Sequence, residues 1–218
     1  MQRGGKKYQI IYADPPWSYN DKMSGHSFSL DHEYVTQDIE WIKSLPINEM
    51  ADKNCVLFLW VVNPLLPEAF EVIKAWGFKY KTVAFNWVKT TSNGHYISNM
   101  GRWTMGNNEM VLLATKGKPQ RIRKDIKQLV MSERKEHSKK PDIVRKLIVD
   151  LMGDLPRVEL FARGEKSKDL FSFNRFDGWD TFGNEVQDSI VLPERGGIKE
   201  NILLTERNTD AHTIQPLL

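Results

Sequence analysis

Asp14, Pro15, Pro16 and Trp17 stand together directly after an apolar run, Tyr8 to Ala13, that has the length and composition of a buried strand. The position just past the carboxyl end of a strand is where α/β enzymes hold their ligands. Two prolines hold φ near about −65° and carry no backbone N–H, so the chain should leave the strand in a stiff extended turn, its carbonyls unpaired and facing outward. A carboxylate, a fixed carbonyl and an indole face side by side suit a planar amine. The oxygens accept its two hydrogens while the ring that bears it stacks on Trp17. For such a tetrapeptide in isolation, an ordinary Asx turn closing a strand is the simpler alternative.

Charge supplies a second signal. Between Lys116 and Lys140 ten Lys or Arg face three acids, a local excess of +7 in a chain whose net charge is +3, so the remainder is mildly acidic. A basic stripe of this kind fits a polyanion whose phosphates are gripped without regard to sequence, and a solvated surface segment is the alternative. The single cysteine, Cys55, lies inside an apolar run, which excludes an internal disulfide and makes it a buried strand residue. His26, Asp31, His32 and Glu33 include metal-ligand types but crowd into one segment without a zinc spacing, so no metal site is assigned.

These groups need a scaffold to bring them together. Candidate strands are Tyr8 to Ala13, Cys55 to Val62, Lys81 to Val88, Glu109 to Ala114 and Arg157 to Ala162, mostly continuous apolar runs of the kind buried on both faces. Helical periodicity links Leu66, Ala69, Phe70, Ile73 and Trp76, with Pro64 suited to the first turn and Gly77 to the carboxyl cap. A second helix follows Pro141 through Ile143, Leu147 and Leu151 and ends at Gly153. The alternation predicts a mostly parallel α/β sheet flanked by helices, with the strands around Val88 and Val111 forming an antiparallel pair at one edge. Ser18 to Tyr34 and Lys89 to Asn108 are longer than connections require, and both should hang over the same carboxyl edge as Asp14. No stretch approaches the roughly 18 apolar residues of a membrane span, and no signal-peptide region opens the chain, so the expectation is a soluble cytoplasmic protein. Residues 1–186 are expected to form one domain and 187–218 a C-terminal extension.

Asp14-Pro15-Pro16-Trp17 after a strand resembles the catalytic motif of the N6-adenine methyltransferases, a family that includes the catalytic subunit of the messenger-RNA adenosine methyltransferase and many small prokaryotic and phage DNA enzymes. In the family's order there follow Phe58-Leu59-Trp60-Val61, Trp76-Gly77-Phe78, Trp87-Val88-Lys89-Thr90, Lys116-Gly117-Lys118-Pro119, Ser138-Lys139-Lys140-Pro141-Asp142, Glu159-Leu160-Phe161-Ala162-Arg163 and Gly183-Asn184-Glu185. An ordered series over most of the chain is far more specific than one motif. The resemblance implies a circularly permuted Rossmann-like fold, S-adenosylmethionine as cofactor, and methyl transfer to the exocyclic amine of adenine. It also explains why no Gly-x-Gly-x-x-Gly stands near the start.

By the same resemblance Asp14, Pro15, Pro16 and Trp17 form the catalytic turn, and Lys140 meets the methionine carboxylate of the cofactor, with Ser138 and Lys139 as neighbours. Glu159, Arg163, Asn184 and Glu185 match positions around its ribose and adenine, although Glu159 and Arg163 could equally be a solvent-facing pair flanking Leu160 and Phe161. The compact build resembles the prokaryotic and phage enzymes more than the eukaryotic subunit, which favours DNA over RNA and a prokaryotic or phage-infected cell. On duplex DNA the target adenine would be flipped into the Asp14 pocket, with Lys89, Arg102 and Trp103 as base readers or a wedge. Lys116, Lys118, Arg121, Arg123 and Lys124 would grip phosphates. A homodimer is a candidate assembly. A noncatalytic nucleic-acid-binding scaffold is the rival from another class.

Overall fold

Seven strands join in one sheet: β1 (Tyr8–Ala13), β2 (Ala51–Val61), β3 (Lys79–Thr90), β4 (Asn108–Lys116), β5 (Leu129–Glu133), β6 (Arg157–Leu160) and β7 (Asp180–Phe182). The computed structural model describes residues 6–18, 37–101, 103–134, 139–162 and 178–183. The strand order is β5-β3-β4-β2-β1-β6-β7. Parallel pairing joins β1 to β2 and β6, β6 to β7, and β3 to β5, while β4 runs antiparallel to both β2 and β3. Six strands therefore share one direction and β4 alone opposes them. The architecture is the expected mostly parallel Rossmann-like sheet, with the first strand inside it between β2 and β6.

Both faces of the sheet are covered, because successive strand residues point to opposite sides. Ile11 and Ala13 of β1 join Leu57, Leu59 and Leu112 in one core, against which pack α1 (Ile39–Ser44), α2 (Ile47–Met50) and α3 (Leu66–Ala75). Ile10 and Tyr12 face the other core, with Phe58, Trp60, Phe85 and Trp87, under Val144, Ile148 and Met152 of α4 (Ile143–Met152). Helix α3 follows from Pro67 in its first turn, an apolar stripe at Ala69, Val72 and Ile73, and Gly77 at φ 80° just beyond its end. Helix α4 starts after Pro141 and stops at Gly153, φ 91°. Cys55 is fully buried, and that burial pushes its thiol up to about 12, so it packs rather than reacts.

Several expectations need correction. Pro64 occupies a single 3-10 turn, Asn63–Leu65, ahead of α3 rather than its first turn. The antiparallel pair is not an edge, since β4 lies between β3 and β2 and the edge strand is β5. Strands β5 and β7 and helices α1 and α2 had no sequence signal. Each is short, six residues or fewer, and takes its form from the neighbours it pairs with or covers. The segment Ser18 to Tyr34, apart from Ser18, and the extension 187–218 lie outside the described residues. No described helix is long and apolar enough to cross a membrane.

At the end of β4 the chain reverses at Gly117, φ 65°, where an added Cβ would lie 2.1 Å from the Lys53 carbonyl oxygen. Gly117→Ala should therefore lower stability by about 2 kcal/mol or more, from left-handed strain plus the displaced strand. An unchanged urea midpoint would show that the backbone relaxes freely there.

Candidate active site

Asp14 leaves the end of β1 with its backbone tied down on three sides. Its N–H reaches the Leu160 carbonyl of β6 at 3.4 Å, the Trp17 N–H donates to the Pro15 carbonyl at 2.8 Å, and the Gln37 N–H donates to the Pro16 carbonyl at 2.9 Å. The expectation of unpaired carbonyls is thus corrected: the turn closes on itself and on Gln37. A carbonyl oxygen has two lone pairs, so that of Pro15 keeps one for a ligand. The indole N–H of Trp17 donates to the Trp60 carbonyl at 3.0 Å, which anchors one edge of a ring that is only half-buried.

The Lys140 ammonium lies beside this turn. It sits 3.2 Å from Asp14 Oδ1 and 3.0 Å from Glu109 Oε2, and 5.2 Å above the Trp60 ring. The other oxygen of Glu109 accepts from Lys89 Nζ, which itself lies 5.1 Å from the Trp87 ring centroid. Asp14, Lys140, Glu109 and Lys89 form a row of alternating charge, each side chain 15–16% exposed, that sums to zero. Matched pairing of this kind is what lets ionised groups stay out of water. Burial alone would lower the Lys140 ammonium, but Asp14 and Glu109 outweigh it and hold it above its ordinary value. Burial likewise raises the Glu109 carboxyl, yet Lys140 and Lys89 outweigh that and hold it at about 2. An ammonium has three N–H donors, so Lys140 retains one beyond its two carboxylates.

Topology explains the row. Asp14 follows the carboxyl end of β1, Lys89 is near that of β3, and Lys140 precedes the amino end of α4. Glu109 opens a strand, and only because β4 is inverted does its start meet the same edge, where Met110 pairs with Val61. Glu109 is a site residue that motif reading missed. Its signal was an acid at the head of an apolar strand that follows its neighbour as a hairpin. Trp60 and Trp87 line the same end of the core, their rings 5.9 Å apart, and Trp60 Nε1 donates to Tyr12 Oη at 2.6 Å. Asn108 bridges Asn86 at 2.8 Å and Asn63 at 3.0 Å beside them.

The remaining expected residues divide. Glu159 is buried, and both its oxygens accept from Arg145 of α4, at 2.5 and 2.6 Å, so it is not the solvent-facing residue of the simpler alternative. Ser138, Arg163, Asn184, Glu185 and Arg102 lie outside the described residues, as do His26, Asp31, His32 and Glu33. Trp103 is 98% exposed on the loop between β3 and β4, over the Asp14 edge as expected. Lys116 ends β4 at the opposite edge, and Lys118 lies just past it. Arg121, Arg123 and Lys124 accompany them, for the Ile122 and Arg123 N–H groups bond the Leu151 carbonyl at the far end of α4. The basic stripe is continuous in sequence only: Lys139 and Lys140 return to the Asp14 edge, while Lys116 to Lys124 do not.

Glu109→Gln should destabilise the protein by about 2–3 kcal/mol at neutral pH, because Lys89 loses its counter-charge and Lys140 keeps only that of Asp14. The folded carboxyl titrates at about 2 against an ordinary 4.5. Its contribution is therefore complete above about pH 4.5 and is lost as pH falls toward about 2. The difference between wild-type and variant urea midpoints should close over that window, and a constant difference would refute the pairing.

The MT-A70 family profile matches residues 8–185, nearly all of the described sheet. The chain is 34% identical over 215 residues to the type II methyltransferase M.MunI of a Mycoplasma species, covering 90% of this chain and 85% of that one. It is 27% identical over 189 residues to the human N(6)-adenosine-methyltransferase catalytic subunit METTL3, and 25% identical over 189 residues to an Arabidopsis thaliana N(6)-adenosine-methyltransferase MT-A70-like protein. Those matches cover 85% and 86% of this chain but only 29% and 25% of the relatives, so the chain spans little more than a quarter of their length. With Asp14-Pro15-Pro16-Trp17 at the carboxyl end of the first strand and a family match over 8–185, the chain belongs to the MT-A70 family of methyltransferases.

Proposed function

We propose that this protein transfers a methyl group from S-adenosylmethionine to the exocyclic N6 amine of adenine in DNA, with the target base held at Asp14-Pro15-Pro16-Trp17. The observation that carries the reading is the pinned turn. It offers Asp14 Oδ2 and the second lone pair of the Pro15 carbonyl beside a half-buried indole, while Lys140 holds Asp14 Oδ1 in place. When bound, the cofactor supplies a methyl carbon already activated by its sulfonium. The residues present suit that group, since the Lys140 ammonium, with one N–H beyond its two carboxylates, matches the carboxylate end of such a ligand.

The adenine amine is a weak nucleophile because its lone pair is delocalised into the ring. Asp14 and the Pro15 carbonyl, accepting its two hydrogens, draw it toward tetrahedral geometry and stabilise the positive charge that develops on nitrogen. Holding the amine in line supplies the entropic part of the acceleration. One proton leaves the methylated amine, with Asp14 as its acceptor or as the hydrogen-bond partner that hands it to water. Trp17, its N–H edge anchored on Trp60, stacks on the base. Lys140 holds the methionine carboxylate with its remaining N–H, near the start of α4 where an anion is favoured. Glu159, clamped by Arg145, stands near the ribose, with Arg163, Asn184 and Glu185 assigned there by family resemblance and Ser138 beside Lys140. The exposed Trp103 and neighbouring Arg102 enter the duplex when the adenine is flipped.

Likeness to a type II methyltransferase over 85% of its length supports the DNA reading. The N(6)-adenosine-methyltransferase relatives, matched over about a quarter of their length, support RNA as the second reading. Radiolabelled methyl transfer to matched double-stranded DNA, single-stranded DNA and RNA decides between them. N6-methyladenine should appear in DNA, and Asp14→Ala should lower transfer by about 100-fold or more while cofactor binding persists. Lys140→Ala should weaken S-adenosylmethionine binding by about tenfold or more in calorimetry. The reverse pattern in the two variants would overturn the roles, and absence of both transfer and cofactor binding would favour a noncatalytic scaffold.

A further inference from the structure

The edge at which the parallel strands begin, opposite Asp14, carries cations that the catalytic reading does not use. Lys53 of β2, Lys79 of β3, Lys118 just past β4, and Arg121 and Lys124 beyond it are all exposed, and none has an ion-pair partner among the described residues. The first three come from adjacent strands. Lys79 is in register with Thr115 and Cys55 with Lys116, and the Lys118 N–H donates to Asn54 Oδ1 at 2.8 Å. Neighbouring strands lie about 4.8 Å apart, so these three residues belong to one edge of the sheet. Four carboxylates of this edge are engaged elsewhere: Asp125 with Arg123, Asp150 with Lys146, Asp154 with Arg157 and Asp180 with Lys6. Asp52 turns back to accept the Asn54 N–H at 3.0 Å.

We propose that this edge is a second nucleic-acid surface, which binds the phosphate backbone of duplex DNA without reading sequence and holds a segment other than the one presenting the target adenine. The proposal rests on nucleic acid being the substrate. β4 spans the sheet from Asn108 to Lys116, about 27 Å at the usual strand rise, so a straight duplex laid across the Asp14 edge does not reach Lys118. Chemistry distinguishes the two edges as well. The Asp14 edge carries exposed aromatics, Tyr96 and Trp103, suited to stacking on bases. Among the described residues of the opposite edge, Tyr80 is 41% exposed but packs edge-on against Phe70 at 5.0 Å rather than standing clear as Trp103 does. Cations without stacking platforms fit a duplex backbone rather than unstacked bases.

The test is the triple variant Lys53→Glu, Lys79→Glu, Lys118→Glu, with the corresponding Lys→Arg triple as control. Anisotropy with an unrelated duplex of about 30 base pairs, from about 50 to 200 mM salt, should show binding weakened about tenfold or more at low salt. The log–log salt slope should become shallower by about 2 to 3. The arginine triple should retain wild-type values, and wild type but not the glutamate triple should bridge an immobilised duplex to a second, labelled one. Unchanged affinity and slope in a glutamate triple with a wild-type melting curve would overturn the proposal. So would preference for RNA over duplex DNA of the same length at this surface. Because binding is read without methyl transfer, lost duplex binding alongside absent transfer to DNA would sustain the surface and sink the catalytic reading.

Discussion

A single ammonium, that of Lys140, is shared between Asp14 and Glu109 inside the end of the sheet, and the geometry of the site depends on it. A partly buried cation needs counter-charges within a few ångströms, and a partly buried carboxylate needs a cation or donors. Here two of each alternate, so no member is left over. Lys140 is the member that joins the row to Asp14, so its ammonium holds that carboxylate in one orientation. The aromatic rings of Trp60 and Trp87 complete it by facing the two ammonium groups with π-electron density.

The row can exist only because β4 runs against its neighbours. In an all-parallel sheet the start of every strand lies at the edge away from the ligand, and an acid at position 109 would sit far from Asp14. Inversion brings Glu109 to the working edge and sends Lys116 and Lys118 to the other. One topological choice thus builds the charge row and divides the basic stripe. It also leaves the loop between β3 and β4, with its exposed Trp103, at the same edge as the Asp14 turn.

Rigidity at Asp14 comes from packing as much as from proline. The turn is anchored by hydrogen bonds to β6, to Gln37 and, through the Trp17 indole, to Trp60 near the carboxyl end of β2. Arg145 and Glu159 clamp α4 to β6 in a buried bidentate pair beneath the same edge, with the guanidinium 5.8 Å from the Tyr12 ring. The helix that carries Lys140 on its leading segment is therefore fixed to the strand next to the one that carries Asp14. Two elements that each hold half of the central ion pair are cross-braced by a second one.

Much of this was legible in the residues alone. Tyr8 to Ala13 coincides with β1, and the two longest described helices and the place of the Asp14 turn follow from apolar period, proline and glycine placement, because those signals are local. Asp14, Trp17 and Lys140 could be named from motif order. What sequence could not supply was partnership. Glu109 and Lys89 are ordinary charged residues until an inverted strand sets them against Lys140, and Glu159 looks like a surface acid until Arg145 closes over it. Lysines that are neighbours in the chain part to opposite edges, while Lys53, Lys79 and Lys118, distant in the chain, converge. Local propensity determines which residues form a strand. Strand direction, and hence which charges meet, is decided only when the whole sheet is assembled, since pairing and burial are properties of neighbours far apart in sequence.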